Sequence, residues 1–176
     1  MTSISTSTGP ESRPVGDVGL GSADLVLLER ALDLATENVA QGGGPFGALV
    51  ALDGRVIAEG VNRVTRDNDP TAHAEVQAIR AACRARGDFS LHGTTLYTSC
   101  EPCPMCLATS LWARVDRVVF AGDRHDAARG GFDDLAFYQL FETPRSQWTT
   151  SVEWLQTADQ ARPFNAWLGN AARTAY

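Results

Sequence analysis

His73-Ala74-Glu75 stands about thirty residues before Pro102-Cys103-Pro104-Met105-Cys106, and the reading of the whole chain turns on these two segments. They offer one imidazole and two thiolates as metal ligands, with a carboxylate alongside that need not be a ligand. Three protein ligands leave the fourth position of a tetrahedral zinc ion open to water. A carboxylate two residues from the histidine is placed to move that water's proton. Cys103 and Cys106 are three apart, so on a helix they share a face. At a helix N-terminus the dipole and the free N–H groups favour their thiolate forms. A competing arrangement adds Cys100, three residues before Cys103, to make a closed Cys₃His site that would be structural and inert. It leaves Glu75 without a role and requires a cysteine at the end of a strand to turn toward the metal. Cys83 falls on a core-facing helical position and reads as packing; His92 and His125 read as loop residues.

Working outward, the chain alternates helical and extended patterns. A helix is expected from Ser22 to about Ala40, with Leu25, Leu28, Leu32, Ala35 and Val39 on its apolar face. Gly42-Gly43-Gly44-Pro45 ends it. Residues 46–52 and 55–60 flank Asp53-Gly54, a strong hairpin signal. Asp69 as cap and Pro70 as first residue predict a second helix to about Arg86, with His73 and Glu75 in its first turns. Strands are expected at 94–98 and 115–121, a helix between them at 103–113, a short helix near 134–141 and a last helix at about 157–172. The order of helix, hairpin, helix, strand, helix, strand, helix predicts an α/β fold. We expect a three-layer α/β/α sandwich around a mixed sheet of about five strands.

The bulk properties narrow the class. The 176 residues suit one domain with a sizeable core, and 44% hydrophobic with 20% charged residues is ordinary for a soluble globular protein. A net charge of −6 argues against broad electrostatic binding to nucleic acid or to an anionic membrane. No apolar run approaches the roughly 20 residues of a spanning helix. Residues 1–21 read as a flexible polar tail without the features of a secretory signal, ahead of one domain at 22–176. The expected location is cytoplasmic, where four reduced cysteines suit metal binding better than disulfides.

Four longer blocks carry a resemblance: Gly43-Gly44-Pro45-Phe46-Gly47-Ala48, residues 68–76, residues 96–107, and Gly131-Phe132-Asp133-Asp134. The paired H-x-E and P-C-x-x-C segments are the signature of zinc deaminases, and the four blocks together resemble bacterial guanine deaminases, a branch of the cytidine deaminase-like superfamily. The likeness covers roughly residues 24–176. It implies that His73, Cys103 and Cys106 bind zinc and that Glu75 shuttles protons. The substrate-binding set it implies is Phe46, Asn62, Ala74, Trp112, Asp134 and Tyr176. Asn62 would hydrogen-bond the base, and Phe46 and Trp112 would line or stack on the ring. Asp134 would read ring N–H groups, and Tyr176 would close the site. Without the resemblance Phe46 and Trp112 read equally as core, Asp134 as a helix cap and Tyr176 as a frayed end.

The implied reaction is hydrolytic deamination of an amino-substituted heteroaromatic ring, with guanine giving xanthine and ammonia. A homodimer is implied as well, with a C-terminal helical lid segment open to exchange between subunits. One departure bears on the substrate. Some relatives carry a glutamate after the aromatic stretch that follows Gly-Phe-Asp-Asp, where it assists ammonia release. Here Gln139 and Leu140 occupy that neighbourhood and Glu142 is the nearest acid. Guanosine, a cytosine-like base and an aminotriazine such as ammeline are therefore the alternative substrates. Adenosine in tRNA is the further one, and the C-terminal helix opposes it, offering only Arg162 and Arg173 for phosphates.

Overall fold

A computed structural model describes residues 21–175 of the chain. The tail expected at 1–21 lies outside these except for Gly21, and so does Tyr176. Helix α1 (Ser22–Ala40) leads into a hairpin of β1 (Gly47–Leu52) and β2 (Arg55–Val61). Asp53 and Gly54 both take positive φ, 49° and 75°, as a two-residue turn matched to strand twist requires. A short α2 (Val64–Asp67) precedes α3 (Ala74–Arg86), β3 (Thr94–Cys100), α4 (Pro104–Trp112) and β4 (Arg117–Gly122). The chain then runs through α5 (Arg124–Arg129), α6 (Asp134–Phe141), a 3₁₀ turn at Arg145–Gln147 and α7 (Arg162–Gly169).

The sheet has the order β2-β1-β3-β4, with β1 antiparallel to β2 and β3, and β3 parallel to β4. Alternation along the strands divides the core in two. Leu49, Ala51, Tyr97 and Val119 point toward α1, where Leu27 and Leu28 meet them. Ala48, Val50 and Leu96 point the other way, onto Ala74, Ala78, Ile79 and Ala82 of α3. Helix α4 packs beside α3 through Val76, Cys103 and Cys106. The three-layer α/β/α sandwich with a mixed sheet is thus observed.

Several expectations need correction. The sheet has four strands among the described residues, not about five. After β4 the Asp123 side chain caps α5, accepting from the His125 and Asp126 amides, so the chain turns into a helix where a loop was expected. Residues 151–157 carry no regular secondary structure. On α1 the buried face is Leu27, Leu28, Ala31, Leu34, Ala35 and Asn38, while Leu25 and Val39 are exposed. A leucine-rich helix supports more than one apolar stripe, and the buried polar Asn38 fixes the rotation. Its Nδ2 donates to the carbonyls of Gly44 and Asn62, both at 2.8 Å. The helix expected from Asp69 starts at Ala74, because Asp69 instead closes a turn by accepting from the Thr71 amide and hydroxyl. The last helix is shorter than expected, Arg162–Gly169.

The late start of α3 matters for the site. His73 becomes the N-cap residue and Glu75 sits in the first turn. Gly60 on β2 lets that turn lie directly on the sheet, since a Cβ there would overlap the Ala74 carbonyl.

Candidate active site and metal centre

Two helix N-termini converge at one end of the molecule. His73 is the N-cap of α3 and Cys103 the N-cap of α4, with Cys106 one turn into α4. His73 Nδ1 lies 3.6 Å from Cys103 Sγ and 3.5 Å from Cys106 Sγ, and the two sulfurs are 3.6 Å apart. A tetrahedral zinc with its usual bond lengths sets ligand separations of about 3.6 to 3.8 Å, so the three atoms fit one ion. Among the described residues His73, Cys103 and Cys106 form the group that can hold a metal. Cys100 stays outside it. Its sulfur faces the Asp123 carbonyl at 3.5 Å, and burial pushes its thiol up to about 12. The closed Cys₃His arrangement is not formed.

A hydrogen bond from Cys106 is the main cause that lowers Cys103 to about 4, while the same bond and then burial push Cys106 up. The pair therefore shares one proton, and a dication is what allows both sulfurs to ionise. Hydrogen bonding to Cys103 raises His73. Glu75 is only 5% exposed, and its carboxyl is pushed up to about 7, chiefly by burial. It stands beside the three ligand atoms without being counted among them, which fits a proton carrier.

His73, Glu75 and Cys103 open onto a cavity of about 270 Å³. That is near the lower end of the roughly 300–1,000 Å³ range for small-molecule sites, enough for a single ring system. Phe46, Asn62 and Asp134 line it as expected. Phe46 meets Phe132 edge to face at 4.8 Å between ring centroids. Asn62 is buried; its Oδ1 accepts from the Val64 amide at 3.3 Å, which fixes the plane of its side-chain amide. Asp134 is the first residue of α6, where the helix dipole favours its charge, while burial raises its pKa. It does not cap: Asp133 holds the N-cap position, with no side-chain bond.

Other expected residues are not brought to the cavity. The Ala74 side chain is fully buried in the core between sheet and α3, leaving only its main chain between His73 and Glu75. Trp112 is 63% exposed at the far end of α4, about 13 Å of helix from the ligand end, and lines a separate hollow with Phe164 and Trp167 of α7. Gln139 and Glu142 are exposed, Leu140 is half-buried, and none lines the cavity. Sequence reasoning missed Thr65, Glu101, Phe132 and Phe137, which do. Phe132 lay inside the Gly131–Asp134 block, so a signal for it existed. Thr65 lies within α2, a helix the sequence pattern did not announce, and had none.

Comparison with known proteins agrees with this geometry. Residues 22–122 match the family model for the cytidine and deoxycytidylate deaminase zinc-binding region. The guanine deaminase of Bacillus subtilis (strain 168) is 48% identical over 151 residues, covering 85% of this chain and 97% of its own. The crystal structure of a Bacillus subtilis guanine deaminase superposes with a TM-score of 0.83, at 47% identity over 86% of this chain and 98% of that one. A guanine deaminase structure from Nitrosomonas europaea gives a TM-score of 0.60 at 31% identity, covering 65% of each chain. A tRNA-specific adenosine deaminase of Agrobacterium fabrum is 50% identical, but over only 76 residues, 43% of this chain and 50% of its own. The likeness to guanine deaminase runs past the shared zinc-binding region and nearly the full length of both chains; this protein belongs to the zinc-dependent cytidine and deoxycytidylate deaminase family, in its guanine deaminase branch.

Proposed function

We propose that this protein hydrolyses guanine to xanthine and ammonia, with zinc held by His73, Cys103 and Cys106 and with Glu75 as the proton carrier. The carrying observation is the near full-length likeness to a guanine deaminase, which includes the Phe132–Asp134 stretch on the cavity wall. When bound, zinc supplies the Lewis acidity that lowers the pKa of a water to roughly 7. Glu75 accepts that proton and returns it to a ring nitrogen; it then takes a second proton from the hydroxyl newly bonded to the ring carbon and passes it to the amine as the C–N bond breaks, leaving the carbonyl of the product. With no acid from 139–142 at the cavity, both transfers fall to Glu75. Phe46 borders the flat ring and the Asn62 amide hydrogen-bonds it. An ionised Asp134 accepts from ring N–H groups, which guanine has at N1 and on its imidazole. Adenine presents a lone pair at N1, which a carboxylate repels. Purified protein is expected to release ammonia from guanine and form xanthine in a screen that includes guanosine, cytosine, adenine and ammeline. Turnover of another of these bases without turnover of guanine sinks the substrate while keeping the reaction class.

The working unit in this reading is a homodimer with exchanged C-terminal segments. Val152, Trp154, Leu155, Phe164 and Leu168 are all more than half exposed, an apolar arm that a solitary chain leaves in water. The outer edge of β4 carries no strand among the described residues, and residues 151–157 are free of any ladder. These two features suit an arm that packs on a neighbouring subunit and brings Tyr176 over its cavity. Deleting residues 172–176 is then expected to lower kcat/KM for guanine by about tenfold or more with zinc content and fold retained, the scale of one lost buried contact set. Unchanged kinetics of the truncated protein would refute the lid. Among the described residues no helix is long and apolar enough to cross a membrane. The four cysteines are all free, which suits the reducing cytoplasm where we place it.

A further inference from the structure

We infer that Tyr138 and Arg124 are positioning residues that hold Asp134 in register with the metal-ligand loop and so set affinity for the purine edge. The inference rests on the reading of Asp134 given under the proposed function.

Helix α6 has no buried residue, so its place over the cavity does not come from a core of its own. Its polar attachment runs through Tyr138. That hydroxyl donates to the carbonyl of Pro102 at 2.6 Å, and Pro102 is buried immediately before the ligand Cys103. Tyr138 is four residues after Asp134, so the two side chains share one face of the helix. One hydrogen bond thus ties the residue that reads the substrate to the loop that bears the metal.

Arg124 completes the clip. Its guanidinium carbon lies 3.5 Å from the centroid of the Tyr138 ring, a close cation–π contact. It is held there by Glu101: Oε2 accepts from the Arg124 amide at 3.1 Å and from Nε at 2.9 Å, and Oε1 accepts from Nη2. Glu101 precedes Pro102 and itself lines the cavity. The pairing has a second consequence. Glu101 occupies the Arg124 fork while the Tyr138 ring of α6 lies against its face. The charge of Arg124 is thereby committed, and the Asp134 carboxylate is left to accept from substrate rather than from a neighbouring guanidinium.

Tyr138→Phe keeps the ring beneath Arg124 and removes only the hydroxyl. KM for guanine is expected to rise about five- to tenfold, the scale of one hydrogen bond to a buried carbonyl. kcat should stay within about twofold, zinc at one per chain, and the melting midpoint within about 4 °C of wild type. In an Asp134→Asn background, the same Tyr138→Phe change is expected to move KM by less than about twofold, because the residue it positions is already altered. Arg124→Gln, which removes the cation and keeps the hydroxyl, is expected to raise KM in the same sense. An equal rise in both backgrounds would show that Tyr138 acts independently of Asp134 and overturns the proposal. So would loss of zinc, or a fall in kcat at unchanged KM. Wild-type protein assayed in parallel separates the two readings. If it does not turn over guanine, the substrate assignment has failed, and the same cycle is read with whichever base the ammonia screen accepts.

Discussion

Glu75→Gln is expected to lower guanine deamination by about 10²- to 10⁴-fold while leaving one zinc per chain, as measured by ammonia release and metal analysis on the same sample. The amide is nearly isosteric with the carboxyl, and it stands in a site that is only 5% exposed, so packing is preserved. What disappears is the capacity to carry a proton. A structural zinc site predicts the opposite pattern, with Glu75→Gln silent and metal lost when Cys100 is changed; the position of the Cys100 sulfur, turned to the Asp123 carbonyl, already opposes that reading. The pH profile adds a second check. Burial holds the Glu75 carboxyl at about 7 in the protein without a cation. A neighbouring dication favours the ionised form and lowers it again. The base must be ionised to accept a proton, so kcat/KM rises with pH through an acid limb below pH 7. That limb should vanish in Glu75→Gln. Full activity in this variant, or loss of zinc with it, removes Glu75 from the proposed role.

The metal site was legible in the sequence because its geometry is local. Spacing of three on α4 puts Cys103 and Cys106 on one face, and the prolines around Cys103 fix where that helix begins. The layers were legible for the same reason: period-two and period-3.6 patterns each belong to one element. What failed depended on partners far away in the chain. The stripe buried on α1 was settled by Asn38 bonding to Gly44 and Asn62, a polar choice that hydrophobic periodicity cannot anticipate. The start of α3 was misplaced because an Asp-Pro pair signals a helix cap and a turn equally well. The sequence patterns marked four strands, and the count of about five came from the expected architecture and not from any further strand signal; the sheet has four among the described residues. Trp112 shows the limit of carrying a role over by resemblance. It closes α4, and nine residues of helix carry it away from the cavity of its own subunit.

Asp134→Asn is expected to lower kcat/KM for guanine by about 10²-fold, mostly through KM, since hydrogen bonds to a charged group contribute about 1.5–3 kcal/mol and are made in both the ground and transition states. The change alters what the cavity wall offers. A carboxylate only accepts, whereas an amide presents N–H donors as well, which meet the donors on guanine unfavourably. A ring edge with a lone pair gains from the same change, so the guanine-to-adenine ratio of kcat/KM should fall further than the guanine value alone. Charge state gives an independent test of direction. Burial raises the Asp134 carboxyl above the ordinary aspartate value. The ionised form is the one that accepts from guanine, so KM for guanine should increase as pH falls through that raised pKa, and in Asp134→Asn this part of the profile should be flat. The position at the start of α6 works against the burial, because the helix N-terminus stabilises a negative charge there. An Asn variant with wild-type KM for guanine would mean that Asp134 does not read the ring. The choice of base would then have to reside with the Asn62 amide and the lining rings of Phe46, Phe132 and Phe137.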